Sequence, residues 1–266
     1  MFAIVVSVQD IAGMNIREQL LKQFVATSES YQGTPVYKLK NIKLYTTKLD
    51  SINCENIDEE INPELILFAT KHKSVSGTPS LSVHAPGNWG AAKLGGLPGQ
   101  VCIAPALYLK KAFQLLSKTD TTYQITLEAT HHGPFLSKKP CFFIEIGSTE
   151  REWSDPVAGK IIANTIIQTL TLPLLQSPVP CIGLGGGHYA PYFNKIQLQT
   201  KYAIGHIVPK YAIDNLSQEL LKQAIERTSP KAELVLLDWK GLGPRKQEIM
   251  GWIKTLDIPS QRCRKL

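Results

Sequence analysis

No Cys-x-x-Cys pair occurs in this chain, and its five cysteines, Cys54, Cys102, Cys141, Cys181 and Cys263, are an odd number. That spacing supports neither a zinc ribbon nor a disulfide framework and fits a reducing compartment, so a cytoplasmic location is expected. Cys102, Cys141 and Cys181 lie in apolar surroundings and read as core thiols. No apolar run reaches the roughly 18 residues of a membrane span, and no membrane partner is expected. The opening Met1–Val8 lacks a basic leader and a small-residue cleavage site and reads as a buried first strand. The P-loop ending Gly-Lys-Ser/Thr and a dinucleotide fingerprint are both missing, which leaves a nucleotide cofactor unsupported. There is no Gly-x-Ser-x-Gly elbow either, which argues against an ordinary serine nucleophile.

What is present describes a globular protein with a core to build: 43% hydrophobic and 19% charged residues over 266 positions. Without an internal repeat or a low-complexity linker, one α/β domain over 1–266 is expected, with about 259–266 as a disordered basic tail and a monomer as the favoured state. Lys and Arg outnumber Asp and Glu by 29 to 22, a net charge of +7 that favours a polyanionic partner.

Strand-like and helical runs alternate along most of the chain. Ile16, Leu20 and Phe24 share one helical face. Glu64–Ala69 is a continuous apolar run suited to a central strand buried on both faces, and it feeds His72. Tyr123–Glu128 alternates with period 2, so His131 and His132 are expected on opposite sides unless Gly133 bends the strand. Cys141–Gly147 is a strand with Glu145 inside an apolar run. Thr149 and Glu152 form a capping box opening a helix that carries Ile161, Ile162, Ile166 and Leu170 before Pro173. A strand from Val179, a helix from about Asp214 to Arg227 and a buried strand Glu233–Asp238 complete the pattern.

All six histidines sit in short Gly/Pro-punctuated stretches: His72, His84, the pair His131 and His132, His188 and His206. Imidazole titrates near neutrality and is the commonest metal ligand, so this placement points to a hydrolytic or metal site. Glu145, buried in a strand, must be paired, protonated or bound to a cation; ligand, general base and structural ion pair all satisfy that. The run Gly183-Leu-Gly-Gly-Gly fits a loop that cradles an anion or oxyanion, and equally a tight turn.

These stretches match one family in order. Lys71–Leu81 with Val83–Trp89, Thr130–Pro134, Glu145–Trp153 and Gly183–Tyr189 resemble the archaeal and plant type of D-aminoacyl-tRNA deacylase, and the likeness runs to Asp238–Gly241. The resemblance implies hydrolysis of the ester joining a D-amino acid to tRNA, a requirement for zinc, and a three-layer α/β/α fold with a mixed central sheet, like nucleoside phosphorylases and peptidyl-tRNA hydrolase. Seven candidates exceed what one zinc needs. The division adopted makes His131, His132 and Glu145 catalytic and His72, His84, His188 and His206 metal ligands. Lys71, Lys73, Lys240, Arg245 and Lys246 are the expected tRNA contacts. A metal-independent His/Glu acid-base hydrolase or a phosphorylase-like enzyme on another RNA or nucleoside is the alternative. A non-enzymatic RNA-binding module lacks any recognisable RRM, KH or OB pattern.

Overall fold

The computed structural model describes every residue except Leu175 and Leu266. In chain order the first strands are β1 (Phe2–Ser7), β2 (Val25–Tyr31), β3 (Thr34–Leu39), β4 (Ile42–Thr47), β5 (Leu65–Lys73), β6 (Ser80–His84), the short β7 (Ala104–Pro105), β8 (Gln124–Leu127) and β9 (Cys141–Ser148). They are followed by β10 (Val179–Leu184), β11 (Tyr202–Val208), the short β12 (Thr228–Ser229), β13 (Leu234–Leu237) and β14 (Ser260–Arg262). Eight of them form a mixed sheet in the order β2-β3-β4-β1-β5-β9-β6-β8. The apolar run from Leu65 makes β5 its centre, parallel to β1 and β9, while β6 runs antiparallel to β9. A second, wholly parallel sheet has the order β11-β10-β13-β14.

The helices are α1 (Ile11–Leu21), α2 (Ile57–Glu60), α3 (Ala106–Leu116), α4 (Glu150–Trp153), α5 (Pro156–Thr171), α6 (Pro191–Gln199), α7 (Gln218–Glu226) and α8 (Lys246–Thr255). Strand periodicity sends Ile4, Leu67 and Ile144 to one face of the large sheet, where Ile16, Leu20, Ile162 and Phe113 from α1, α5 and α3 cover them. Val5, Ile66, Phe68 and Phe143 point the other way, against Ile57 and Leu136. The Phe68 and Phe143 rings stack at 4.7 Å, and burying one such side chain is worth about 2 kcal/mol. The parallel sheet packs Cys181, Ile204 and Leu234 toward Phe193 and Ile196, and Leu184, Val235 and Leu237 toward Leu221, Ile225 and Ile249. Helices thus cover both of its faces.

Two adjacent lysines of α3 hold two other helices. Lys110 Nζ donates to the carbonyls of Gln197 and Thr200 at the end of α6 and of Tyr202 at the start of β11. Lys111 Nζ donates to the carbonyls of Thr169 and Leu172 at the end of α5. Terminal helix carbonyls have no partner within the helix and carry the negative end of its dipole, so a buried ammonium satisfies both needs.

Three sequence expectations change. The capping box is present, with Glu152 Oε2 accepting from Thr149 N at 3.1 Å and Oγ1 at 2.6 Å. It opens only the short α4, because Asp155 caps Val157 N at 2.9 Å and Pro156 starts α5 afresh. The helix expected from Asp214 begins at Gln218, where Ser217 caps Leu220 N, and Lys210–Asn215 is a 3-10 turn. The basic tail is not a free arm: Ser260–Arg262 pairs with β13 and Cys263 is buried. The alternating Ser-Gln-Arg backbone completes the sheet edge although its side chains look solvent-bound.

Candidate active site

The face of the large sheet that begins as Phe68 and Phe143 changes character toward one end. Register pairs Thr70 with Glu145 and Glu145 with Ser82, and places His84 beside Phe143. Period 2 therefore puts Thr70, His72, Glu145, Ser82 and His84 on the same face, and all five are buried. The apolar runs of β5 and β9 hold them rigidly.

The segment after β8 supplies the rest by leaving the large sheet. Glu128 N still bonds to Val83 O at 3.2 Å, but Ala129 N reaches His188 O at 2.8 Å and Thr130 N reaches Ile207 O at 3.0 Å. Trp89 Nε1 holds Thr130 O at 2.9 Å. His132 then takes a left-handed conformation, φ +48°, so the two imidazoles do not diverge as an extended strand would have them. Their rings meet at 4.3 Å.

The glycine run behaves as a tight turn. Gly185 N is used by Val208 O at 2.8 Å, and a Cβ at Gly185, φ +96°, would lie 2.6 Å from Asp238 O. The turn delivers His188 to the group.

Glu128 is the centre of the arrangement and was not singled out from sequence. Its side chain is fully buried, and Oε2 lies 2.8 Å from His188 Nε2, 3.2 Å from His72 Nδ1 and 3.6 Å from His131 Nε2. Glu145 Oε2 lies 3.6 Å from His72 Nδ1 and 3.5 Å from His84 Nε2, while Oε1 accepts from Thr70 Oγ1 at 2.8 Å. The signal for Glu128 was a carboxylate ending an alternating strand three residues before a His pair.

Each imidazole is held by one nitrogen and presents the other inward. Nδ1 contacts Ala85 O in His84 (3.2 Å), Ala129 O in His131 (2.8 Å) and Gly133 O in His132 (2.6 Å). His72 Nε2 meets Tyr189 OH at 3.0 Å and His188 Nδ1 meets Tyr211 OH at 3.2 Å. Bonds of this kind fix ring orientation and tautomer around metal centres.

Burial would raise the Glu128 carboxyl, but hydrogen bonds from His188 and His72 outweigh it and hold the group well below the usual range. For His72 burial acts downward, and Glu128, Glu145 and the Tyr189 hydroxyl reverse it to about 10. Burial followed by the neighbouring imidazoles pushes His131 well down and His132 down to about 4.

His84 Nε2, Glu128 Oε1 and Glu145 Oε2 are buried without a hydrogen-bond partner, and the ligand atoms of these three residues lie within 4.8 Å of one another. His72, Glu128, His131 and His188 form a second such group, and His84, His131 and His132 a third. Imidazole nitrogens with carboxylate oxygens and no thiolate are a donor set that suits zinc. The residues fit such an ion.

His206 is not brought into this group. It is fully buried in β11, with Nδ1 3.1 Å from Thr130 Oγ1, Nε2 3.0 Å from Cys102 O and its ring against Trp89. Both nitrogens are used by the protein, and burial above all lowers its pKa to about 4. The division into catalytic and ligating residues also does not follow the geometry, since His131 and Glu145 share groups with His72, His84 and His188.

A cleft of about 520 Å³ opens onto the group, with Lys71 and Lys73 on its wall beside Asp50, Ile52, Val75 and Leu94. Lys71 Nζ stands 5.8 Å from the Trp153 ring. Lys240, Arg245 and Lys246 do not line it. The Arg245 guanidinium bonds to the carbonyls of Ile213 and Leu216 and to Glu248 at 2.7 Å, which makes it a structural clamp.

Residues 59–261 match the family model described as D-aminoacyl-tRNA deacylase. The D-aminoacyl-tRNA deacylase of Thermococcus kodakarensis is 42% identical over 241 residues, 87% of this chain and 88% of that protein. That of Pyrococcus abyssi is 39% identical over the same shares. A crystal structure of a conserved protein of unknown function superposes with a TM-score of 0.93 at 30% identity, covering 100% of this chain and 96% of that one. The chain belongs to the D-aminoacyl-tRNA deacylase family.

Proposed function

We propose that this protein hydrolyses the ester between a D-amino acid and the terminal ribose of tRNA, releasing the free amino acid and tRNA, with zinc held by the histidine–carboxylate group. The observation that carries the reading is the convergence of four histidines on two buried carboxylates, with His132 packed beside them, at an open cleft, in a chain related to deacylases.

His72, Glu128, His131 and His188 would hold the ion, with His84 and Glu145 closing a neighbouring set of donors. When bound, zinc supplies Lewis acidity, polarising a carbonyl and acidifying water. His132, fixed through Nδ1 on Gly133 O, keeps Nε2 for solvent or substrate and serves as general base. An acyl ester seated against these groups faces apolar walls, Ile52, Val75, Leu94 and Phe143. Those walls discriminate: the side chain of an L residue, seated with the same ester and amino group, would point where the D residue carries hydrogen and displace the carbonyl. Lys71 and Lys73 stand at the rim to meet the terminal phosphates. The setting this implies is translation quality control in the cytoplasm; no described helix is long and apolar enough to cross a membrane.

Paired assays on D- and L-aminoacyl-tRNA, across a range of salt concentrations, test the reading. Salt should weaken binding of both while leaving the D-over-L preference in turnover intact. Equal hydrolysis of the two enantiomers overturns it.

A further inference from the structure

The four parallel strands β10, β11, β13 and β14 end at one edge, and the chain leaving that edge carries cations and aromatic rings into solvent. Exposed Lys210 and Tyr211 follow β11, Trp239 and exposed Lys240 follow β13, and β14 ends on exposed Arg262 with exposed Arg264 just after it. The Arg262 guanidinium lies 3.7 Å from the Trp239 ring centroid, and Lys246 Nζ lies 5.6 Å from the same ring. Arg264 rests on Tyr192, 5.8 Å from its centroid. Among the described residues none of these five cations is in a salt bridge, in contrast to Arg245 with Glu248.

The edge runs directly into the active site. Lys210 N bonds to Gly186 O at 2.8 Å, and the hydroxyl of Tyr211 is 3.2 Å from His188 Nδ1. Beside Trp239 a groove of about 430 Å³ is lined by Leu237, Met250, Ser260, Gln261 and Arg262. The opposite end of the same sheet is different: there Lys222 and Lys231 are mixed with Glu226, Glu233 and Asp257 around one shallow pocket. At the end nearest the histidines Lys210, Lys240, Lys246, Arg262 and Arg264 outnumber the carboxylates Asp214, Asp238 and Glu248, of which Glu248 is paired with Arg245.

We propose that this edge docks the sugar-phosphate backbone of the tRNA acceptor arm, from the groove beside Trp239, past Lys210 and Tyr211, to His188. The proposal rests on the reading of the substrate given above. Unpaired cations neutralise phosphates and release their counterions, which is the main source of affinity for a polynucleotide. The Arg262–Trp239 pair adds a planar face on which an unpaired nucleotide stacks. Open parallel sheets bind ligands outside the carboxyl ends of their strands, and this is that end.

Fluorescence anisotropy with deacylated tRNA reads affinity without hydrolysis, so the result stands apart from whether the chain is a deacylase. The triple variant Lys240→Ala/Lys246→Ala/Arg262→Ala of the full chain should bind about tenfold or more weakly, and its log–log salt slope should be shallower by about 2. The pair Lys210→Ala/Lys240→Ala, at exposed side chains, should give the same direction with a melting temperature unchanged. Lys222→Ala/Lys231→Ala at the other end should leave affinity and slope as they are. Unchanged affinity and slope in both edge variants, or an equal loss in the Lys222/Lys231 variant, overturns the assignment. Hydrolysis of D-aminoacyl-tRNA alongside unchanged edge-variant affinity would leave the substrate reading standing and remove only this surface.

Discussion

Glu128 accepts from His188 across 2.8 Å although 60 residues separate them. The contact joins the end of the large sheet to the turn that leaves the parallel sheet, so the active site is a seam between the two. Every histidine of the group except His132 lies within ion-pairing reach of Glu128 or Glu145.

Glu128→Gln keeps the size of the side chain and removes its charge. Zinc retention, read by elemental analysis after dialysis, should fall together with turnover on D-aminoacyl-tRNA, the latter by about a hundredfold or more. A variant with wild-type zinc and wild-type turnover would remove Glu128 from the site.

His132→Ala should lower turnover far more than affinity for deacylated tRNA, by at least about a hundredfold, because a general base acts on the transition state and a phosphate contact acts on binding. Loss of binding with turnover intact at saturation would move His132 from chemistry to recognition.

Much of this was legible in the sequence and some was not, for physical reasons. The apolar runs that became β5, β9 and β13 specify strands buried on both faces, and His72, His84, His131, His132 and His188 stood out by type and by neighbouring Gly and Pro. Glu128 did not, because one carboxylate at a strand end looks the same whether it faces water or three imidazoles; only the 128–130 crossover between sheets decides it. His206 carried the same local signal as the others, yet its two nitrogens are consumed by Thr130 and Cys102, partners far apart in sequence. The edge strands β2 and β14 have little apolar content, since each closes a sheet edge rather than a core.

His206 gives a pH signature of stability. Its folded pKa, lowered by burial to about 4, lies below the unfolded value near 6.5, so the folded state favours the neutral ring. The contribution is present in full above pH 6.5 and is lost as pH falls toward 4, about 3 kcal/mol over the window. In urea titrations at pH 7 and pH 4.5, His206→Gln should be the less stable protein at pH 7 and lose less than wild type on acidification. Equal losses in the two proteins would show that His206 does not titrate in that window.

Lys110→Met removes the ammonium shared by two carbonyls at the end of α6 and one at the start of β11. The cost should be about 3 kcal/mol, or a fall of roughly 5–10 °C in Tm, with zinc retention unchanged. A Tm within a degree of wild type would mean that water replaces the lysine without penalty.

The most direct measurement of the central claim is turnover of protein freed of metal by a chelator, verified metal-free by elemental analysis and folded by circular dichroism. Hydrolysis of D-aminoacyl-tRNA should be lost in that preparation and return when zinc is added in stoichiometric amount. Full activity in the verified metal-free protein would contradict the account and leave His132 with Glu145 as a metal-independent acid–base pair.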